Sequence, residues 1–172
     1  MISTRVQEAI NAQVNAEFWS AYLYLSMSAD FAAKGKPGFA NWMKIQFKEE
    51  QDHANIFMDY LIKRGGVVEL KPIEEVKLHW DTPLDAFKDT LEHEKVVTSL
   101  IHKLYKIADE EGDMATVSML KWFIDEQVEE EETAQALIDA LTMIGDNGYG
   151  IYSLDKELGA RTYTPVQISS AT

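Results

Sequence analysis

Four long segments of the sequence are amphipathic with the period of an α-helix, about 100° per residue. Each segment carries a glutamate in the middle of its apolar stripe, and the second segment also carries a histidine one turn later on the same face. An ionised carboxylate in a protein interior is strongly destabilising unless a cation pairs with it. No Lys or Arg lies close to the four stripes, so we expect the cation to be a metal ion. The residues concerned are Glu17, Glu50, His53, Glu94 and Glu130.

The breaks between these segments predict an all-α chain with four long helices and a short fifth helix. Glycine and proline end the first two segments at residues 35–38 and 65–66, and glycines end the fourth at residues 145–148. Thr4 with Gln7 is expected to form a capping box on the first helix. The predicted helices run over 5–33, over 39–64, from Thr82–Pro83 to about 110, from an Asp113 cap to about 144, and over 149–158.

The lengths of the connections predict how these helices pack. The first and third links are short, so each should join two antiparallel neighbours. Residues 67–81 contain Pro72, show no helical stripe and can span the length of a bundle. We therefore expect two helical hairpins joined by one long crossover, with the second and third helices parallel. One domain is expected over residues 1–172, with the bundle at 5–144 and a polar tail.

The charge and the cysteine count exclude several classes of protein. The formal net charge is −13, so the chain is not expected to bind nucleic acid or an anionic membrane surface. The absence of cysteine excludes disulfides, thiolate metal sites and iron–sulfur clusters. With no apolar run that could cross a membrane and no basic, signal-like beginning, we expect a soluble, cytoplasmic protein.

The positions of the stripe glutamates favour an oxygen-rich metal centre. Each lies about twelve to sixteen residues from the start of its helix, which places all four at one level when the rise is about 1.5 Å per residue. Glu50 could bridge two ions, with Glu17 and His53 completing one site. Glu94 and Glu130 would complete the other. Carboxylates with one imidazole suit iron or manganese better than zinc or copper.

Three further features of the sequence allow more than one interpretation. Glu49, Glu126 and Glu129 lie beside the first group and form either a solvated acidic face or a third cation site. Tyr24 lies two turns from Glu17 on the same face and is either a core tyrosine or a neighbour of the metals. His79, His93 and His102 lack partners at ligand spacing and are interpreted as surface or packing residues.

The first helix is apolar on a second face. Trp19 and Tyr22 point roughly away from Glu17, where a monomeric bundle would expose them. A helix that is apolar on two faces usually packs against two partners. We therefore predict a subunit interface there.

From the first helix through the fifth, the sequence resembles the bacterial non-haem ferritins. The resemblance implies a ferritin-like four-helix bundle and a ferroxidase that oxidises Fe(II) with O₂ or H₂O₂ at a di-iron centre. It also implies self-assembly into a hollow shell of 24 subunits that stores ferric oxyhydroxide. The residues that carry it are Glu17, Tyr24, Glu49-Glu50-Gln51-Asp52-His53, Glu94 and Glu126-Gln127-Val128-Glu129-Glu130.

The same resemblance implies a role for each of these residues. Glu17, Glu50 and His53 would bind the first iron. Glu50, Glu94 and Glu130 would bind the second, with Gln127 beside it. Tyr24 would supply an electron. The third iron would lie among Glu49, Glu126, Glu129 and Glu130.

Departures from related families narrow the interpretation further. Bacterioferritins have histidine in place of Glu130, glutamate in place of Gln127 and a haem-binding methionine in place of Gln51, so no haem is predicted. Animal ferritins line a three-fold channel with acids where this chain has Val117 and Leu120, so that iron route is not expected. Two alternatives stay open: a non-catalytic structural helical bundle, and a di-iron oxygenase that acts on an organic substrate.

Overall fold

The computed structural model describes residues 1–168, which form five α-helices and, within that range, no strand. The four long helices pack into a bundle, and the short fifth helix packs against one end of it. The bundle with a short C-terminal helix confirms the predicted fold class. The helices are α1 Thr4–Ala33, α2 Pro37–Lys63, α3 Pro83–Glu110, α4 Met114–Ile144 and α5 Gly148–Gly159.

The capping residues predicted for α3 and α4 are confirmed, and the capping box predicted for α1 is wrong. Thr82 and Asp85 form a reciprocal capping box on α3, and the Asp113 carboxylate accepts a hydrogen bond from the Thr116 amide at the start of α4. The capping box of Thr4 with Gln7 is absent. Ser3 is the cap instead, because its hydroxyl lies 3.3 Å from the Val6 amide and Thr4 is already helical.

Contacts between the helices establish the predicted directions. Tyr60 bonds to Thr116 near one end of the α2–α4 contact, and Gln46 bonds to Glu130 further along, so these two helices are antiparallel. The short links make α1 antiparallel to α2 and α3 antiparallel to α4. Residues 64–82 connect α2 to α3 as one long crossover.

The crossover is held in place by polar side chains of α1. Asn11 donates to the Val67 carbonyl at 2.9 Å and accepts from the Glu69 amide at 2.8 Å. Further along, the Ser26 hydroxyl donates to the Lys77 carbonyl at 2.7 Å. These bonds give partners to the backbone of an extended segment that has no ladder of its own.

The apolar core of the bundle is divided into two clusters. One contains Met27, Phe39, Phe87 and Leu141, and the other contains Ile10, Phe57, Ile101 and Phe123. On every long helix the stripe glutamate comes between a residue of one cluster and a residue of the other. The four glutamates therefore occupy a polar layer between the clusters, as their matching depth in the sequence predicted.

Helix α5 is joined to the start of α2 by an unusually close contact. The Asp155 carboxylate accepts hydrogen bonds from the Gly38 amide at 2.8 Å and from the Phe39 amide at 3.0 Å. A side chain of α5 thus satisfies two of the backbone amides that the first turn of α2 leaves without partners. Leu154 and Leu158 pack into the neighbouring core cluster.

The two aromatic residues on the outer side of α1 differ in their surroundings. Tyr22 is exposed, whereas Trp19 is partly buried within the subunit, with its ring centre 5.0 Å from that of His93. The subunit interface stays a prediction, and of these two aromatic residues it is the exposed Tyr22 that supports it. Within residues 1–168, no helix combines the length and the apolar character that a membrane span requires.

Candidate metal centre

Glu17, Glu50 and His53 meet in the polar layer. One ligand atom from each lies within 4.8 Å of the other two, and all three residues are buried. Glu17 comes from α1, whereas Glu50 and His53 are one turn apart on α2, so the first hairpin assembles the group. Among the described residues it is the one set of three acidic or histidine side chains this tight. Of the predicted ligands, these three are brought together most closely.

Two atoms of this group lack hydrogen-bond partners among residues 1–168, namely Glu17 Oε2 and His53 Nε2. Leaving a buried polar atom unsatisfied typically costs about 1–3 kcal/mol. The other atoms of the same side chains are bonded: Gln13 donates to Glu17 Oε1 at 2.8 Å, and His53 Nδ1 lies 3.3 Å from Glu50 Oε2. A cation coordinated by the two free atoms would remove the penalty, and this chemistry fits a metal ion.

Glu94 and Glu130 form the other half of the layer. The Tyr24 hydroxyl donates to Glu94 Oε1, and the Gln127 amide donates to Glu94 Oε2 at 3.1 Å. Gln46, on α2, donates to Glu130 Oε2 at 2.9 Å. Charge on Glu94 and on Glu130 raises the pKa of Glu50. Tyr24 is fully buried against Glu94, so it is both a core tyrosine and a neighbour of the proposed ligands.

Burial and mutual repulsion raise the pKa of the layer carboxyls. Burial is the larger cause for Glu17 and Glu50, and each is raised further by its carboxylate neighbours. The pKa of Glu130 rises to about 8, first through burial and then through Glu94. The pKa of Glu94 also rises through burial, although its bonds from Tyr24 and Gln127 oppose the shift. Part of the layer therefore carries protons near neutral pH.

These shifts predict an inverse dependence of metal-free stability on pH. A carboxyl whose pKa is higher in the folded state stabilises the fold below its unfolded value of 4.5. That contribution is lost as the pH rises through the folded value, about 8 for Glu130. We expect the thermal midpoint of the metal-free protein to fall by on the order of 5 °C between about pH 5 and pH 8.

Differential scanning calorimetry across this pH range, with a chelator present, measures the effect. Glu130→Gln removes one titrating group and should flatten the dependence, whereas Glu132→Gln, at an exposed position of the same helix, should not. A midpoint that rises with pH in the unmodified protein would contradict the prediction. Added divalent cation should reverse the slope, because metal competes with protons for the same oxygens.

The acidic residues predicted to form a third cation site, Glu49, Glu126 and Glu129, have different surroundings from the buried group. Arg161, beyond α5, donates to Glu49 Oε2 at 2.7 Å, and its guanidinium lies over the Trp42 ring at 4.7 Å. Glu126 is half-buried and Glu129 is exposed. Within the described part of the chain, these carboxylates do not form a group as tight as that around Glu17. The cation that contacts Glu49 in this structure is therefore an arginine.

The histidines outside the centre contact other parts of the protein, as predicted. His93 is packed between Trp19 and Tyr24, and its Nε2 lies 2.7 Å from the Ser20 hydroxyl. Burial lowers the pKa of His93 to about 4, so it is neutral. His79 contacts the Asp30 carboxylate at 3.1 Å near the end of the crossover.

Three residues of the site were missed in the sequence. Gln13 and Gln46 each precede a stripe glutamate of the same helix by four residues, so helical spacing could have identified them as neighbours. No such signal exists for Arg161, because it lies in a segment without periodicity. Only the docking of α5 brings it to α2.

Comparison with known proteins relates this arrangement to a family. The sequence profile of the ferritin-like domain matches residues 7–144. Bacterial non-heme ferritin of Bacteroides fragilis is 48% identical over 161 residues, which cover 94% of this chain and all of that protein. Bacterial non-heme ferritin of Staphylococcus aureus is 40% identical over 163 residues, covering 95% of this chain and 98% of the other.

Solved structures show the same similarity. An Archaeoglobus fulgidus ferritin engineered into a closed form superposes with a TM-score of 0.94 at 46% identity, over 95% of this chain and all of the other. The open-pore ferritin of the same archaeon superposes with a TM-score of 0.93 at 46% identity, over 94% of this chain and all of the other. The chain therefore belongs to the ferritin family.

Proposed function

We propose that this protein is an iron-storage ferritin with ferroxidase activity. The observation that carries the proposal is the pair of buried, unpartnered ligand atoms, Glu17 Oε2 and His53 Nε2, beside Glu50. A buried group of carboxylates and one imidazole is the donor set expected for Fe²⁺. Family membership and the relatives named non-heme ferritins support iron as the substrate.

In the proposed reaction two Fe²⁺ ions bind within one subunit. Glu17, Glu50 and His53 bind the first ion, and Glu50, Glu94 and Glu130 bind the second, so that Glu50 touches both. Each Fe²⁺ loses one electron, and O₂ or H₂O₂ accepts the pair together with protons. The protons that leave the layer carboxyls when metal binds are available for this step, since their raised pKa values keep part of them protonated beforehand.

Tyr24 and Gln127 assist the second ion by holding Glu94. The phenol donates to one oxygen of Glu94 and the amide to the other. Burial and the neighbouring Glu94 raise the pKa of Tyr24 well above 10, so the phenol keeps its proton and can donate it. We propose that Tyr24 supplies one further electron to O₂, beyond the two from the Fe²⁺ ions, with its proton passing to Glu94.

The product is proposed to be stored as ferric oxyhydroxide inside a shell of 24 subunits in the cytoplasm. Each subunit is proposed to be a single ferritin-like domain. Exposed apolar residues support assembly, because isolated subunits would leave them in water. The exposed apolar residues include Tyr22, Leu70, Leu78, Met143, Tyr149 and Tyr152.

We propose that no haem is bound, since Gln51 offers no thioether at the position where a bacterioferritin binds haem.

The third iron site is proposed among Glu49, Glu126, Glu129 and Glu130. A cation there must compete with the Arg161 guanidinium for Glu49. We therefore expect the third ion to bind more weakly than the first two. Arg161→Gln should strengthen its binding by about fivefold, because a partly buried ion pair is worth on the order of 1 kcal/mol.

Isothermal titration of the metal-free shell with Zn²⁺, followed past two ions per subunit, measures this effect. Arg5→Gln is the matched control, because Arg5 also pairs with glutamates, Glu110 and Glu111, but far from the centre. An equal third-ion affinity in the two variants would show that Arg161 does not oppose the third ion.

The proposed function is tested by adding Fe²⁺ to the metal-free protein in air. We expect rapid oxidation of two to three irons per subunit, followed by slower mineral growth inside a hollow particle that electron microscopy can display. A small oligomer without stoichiometric iron binding would instead support the structural helical bundle. Iron binding without a hollow particle would favour an oxygenase.

A further inference from the structure

Three buried glutamines each donate a hydrogen bond to one carboxylate of the polar layer. Gln13 donates to Glu17 at 2.8 Å, Gln46 to Glu130 at 2.9 Å and Gln127 to Glu94 at 3.1 Å. The three amides come from three different helices, and each is at most 4% exposed. Among the described residues, Glu50 is the stripe glutamate that receives no amide.

An amide that bonds one oxygen of a carboxylate leaves the other oxygen for the metal. It also restricts rotation of the carboxylate, so the free oxygen keeps its direction. In Glu17 the bonded atom is Oε1 and the unpartnered atom is Oε2. Glu130 is bonded at Oε2, which leaves Oε1. Glu17 and Glu130 therefore each present one oxygen, whereas both oxygens of Glu94 accept hydrogen bonds, from Tyr24 and Gln127. Glu50 receives no amide, and its Oε2 lies 3.3 Å from His53 Nδ1.

We infer that Gln13 and Gln46 are positioning residues, each of which orients the terminal carboxylate of a different ion. Gln13 acts on the first ion through Glu17, and Gln46 acts on the second ion through Glu130. The inference rests on the proposed di-iron function. It extends that function by assigning Gln13 to the first ion and Gln46, in addition to Gln127, to the second.

The contacts distinguish this role from ordinary burial of a polar side chain. Gln46 is 1% exposed and lies one turn before Glu50, yet its amide reaches across to α4 and not along α2. Gln13 lies one turn before Glu17 on α1 and donates to Oε1 of that carboxylate, while Oε2 is unpartnered. A glutamine needed only for packing could be replaced by methionine, which has a similar volume and no donor, without any effect on metal binding.

The test compares Gln13→Met with Gln46→Met by stepwise Zn²⁺ binding to the intact, metal-free shell. Zn²⁺ is redox-inert, so the measurement does not depend on ferroxidase activity. Gln13→Met should weaken the Glu17–His53 site by about tenfold or more and leave the Glu94–Glu130 site within about twofold. Gln46→Met should show the reverse. Anomalous scattering from crystals at limiting Zn²⁺ assigns the occupancy of each site.

Gln135→Met is the matched control, because Gln135 donates to Asp139 at 2.8 Å across one exposed turn of α4. It should leave both sites unchanged. Equal weakening of both sites in either variant, or no weakening, would overturn the inference. An unmodified protein that binds fewer than two Zn²⁺ per subunit would overturn the di-iron centre itself.

Folding of the variants is checked by size-exclusion chromatography and thermal unfolding of the metal-free shells. If a methionine variant does not assemble, Gln13→Asn or Gln46→Asn replaces it. Asparagine keeps a buried amide but withdraws the donor by one methylene, so the same site-specific loss is expected. Normal occupancy of both sites in the asparagine variants would also overturn the inference.

Discussion

Replacing Glu50 with alanine is expected to slow the initial oxidation of Fe²⁺ by about a hundredfold or more. Glu50 is the one carboxylate placed to touch both ions, so its loss removes a ligand from each proposed site. His53→Ala should also slow oxidation. It should weaken binding of the second ion less than Glu50→Ala does, because the imidazole serves the first site alone. Stopped-flow absorbance at two Fe²⁺ per subunit measures the initial rate.

Suitable controls separate this effect from a loss of folding. Glu132→Ala and His102→Ala change the same residue types at exposed positions and should oxidise iron at the unmodified rate. Glu50→Gln keeps the side-chain volume but removes one of several repelling charges. The metal-free Glu50→Gln protein should therefore be at least as stable as the unmodified protein above neutral pH, while its oxidation is lost. Unchanged initial rates in Glu50→Ala and His53→Ala would refute the proposed centre.

The largest expected effect on stability comes from Gly38→Ala. A Cβ at this position would overlap the backbone carbonyl oxygen of Asp155, which cannot move without shifting α5. Overpacking a well-packed site costs about 1–3 kcal/mol, and a clash with backbone belongs at the upper end of that range or beyond it. Separation of α5 from α2 would also break the hydrogen bonds that the Gly38 and Phe39 amides donate to Asp155.

Thermal unfolding and size-exclusion chromatography measure the consequence of Gly38→Ala. Gly148→Ala is the matched control, because Gly148 begins α5, has no positive φ and has open space around its Cα. That variant should unfold at or slightly above the unmodified temperature, since alanine favours the helical state more than glycine. Equal midpoints in the two variants would contradict the close contact between α5 and α2.

Particular residues show how far the sequence alone could lead. The stripe glutamates were identifiable because helical periodicity is a local property, and a charged residue in an apolar stripe is conspicuous. Thr82 and Asp113 were identifiable as caps for the same reason. Ser3 was not, because Thr4 offers equally good capping chemistry and only the observed helical bounds distinguish the two residues.

Contacts between distant segments could not be predicted in this way. Arg161 pairs with Glu49 across more than a hundred residues, and no periodicity connects them. Gln46 has its partner on α4, although its spacing suggests a partner on α2. Asp155 caps a helix that begins far earlier in the chain. Each of these contacts depends on how helices are placed relative to one another.

The sequence by itself determined the helices, their order and the level at which the charged residues lie, because these follow from the period and rise of the α-helix. The tertiary structure decided which oxygen of Glu17 and of Glu130 is already bonded and which is free. It also decided that an arginine from beyond α5 neutralises Glu49. Hydrogen bonds and ion pairs of this kind depend on atoms a few ångströms apart, and only the packing of the helices sets those distances.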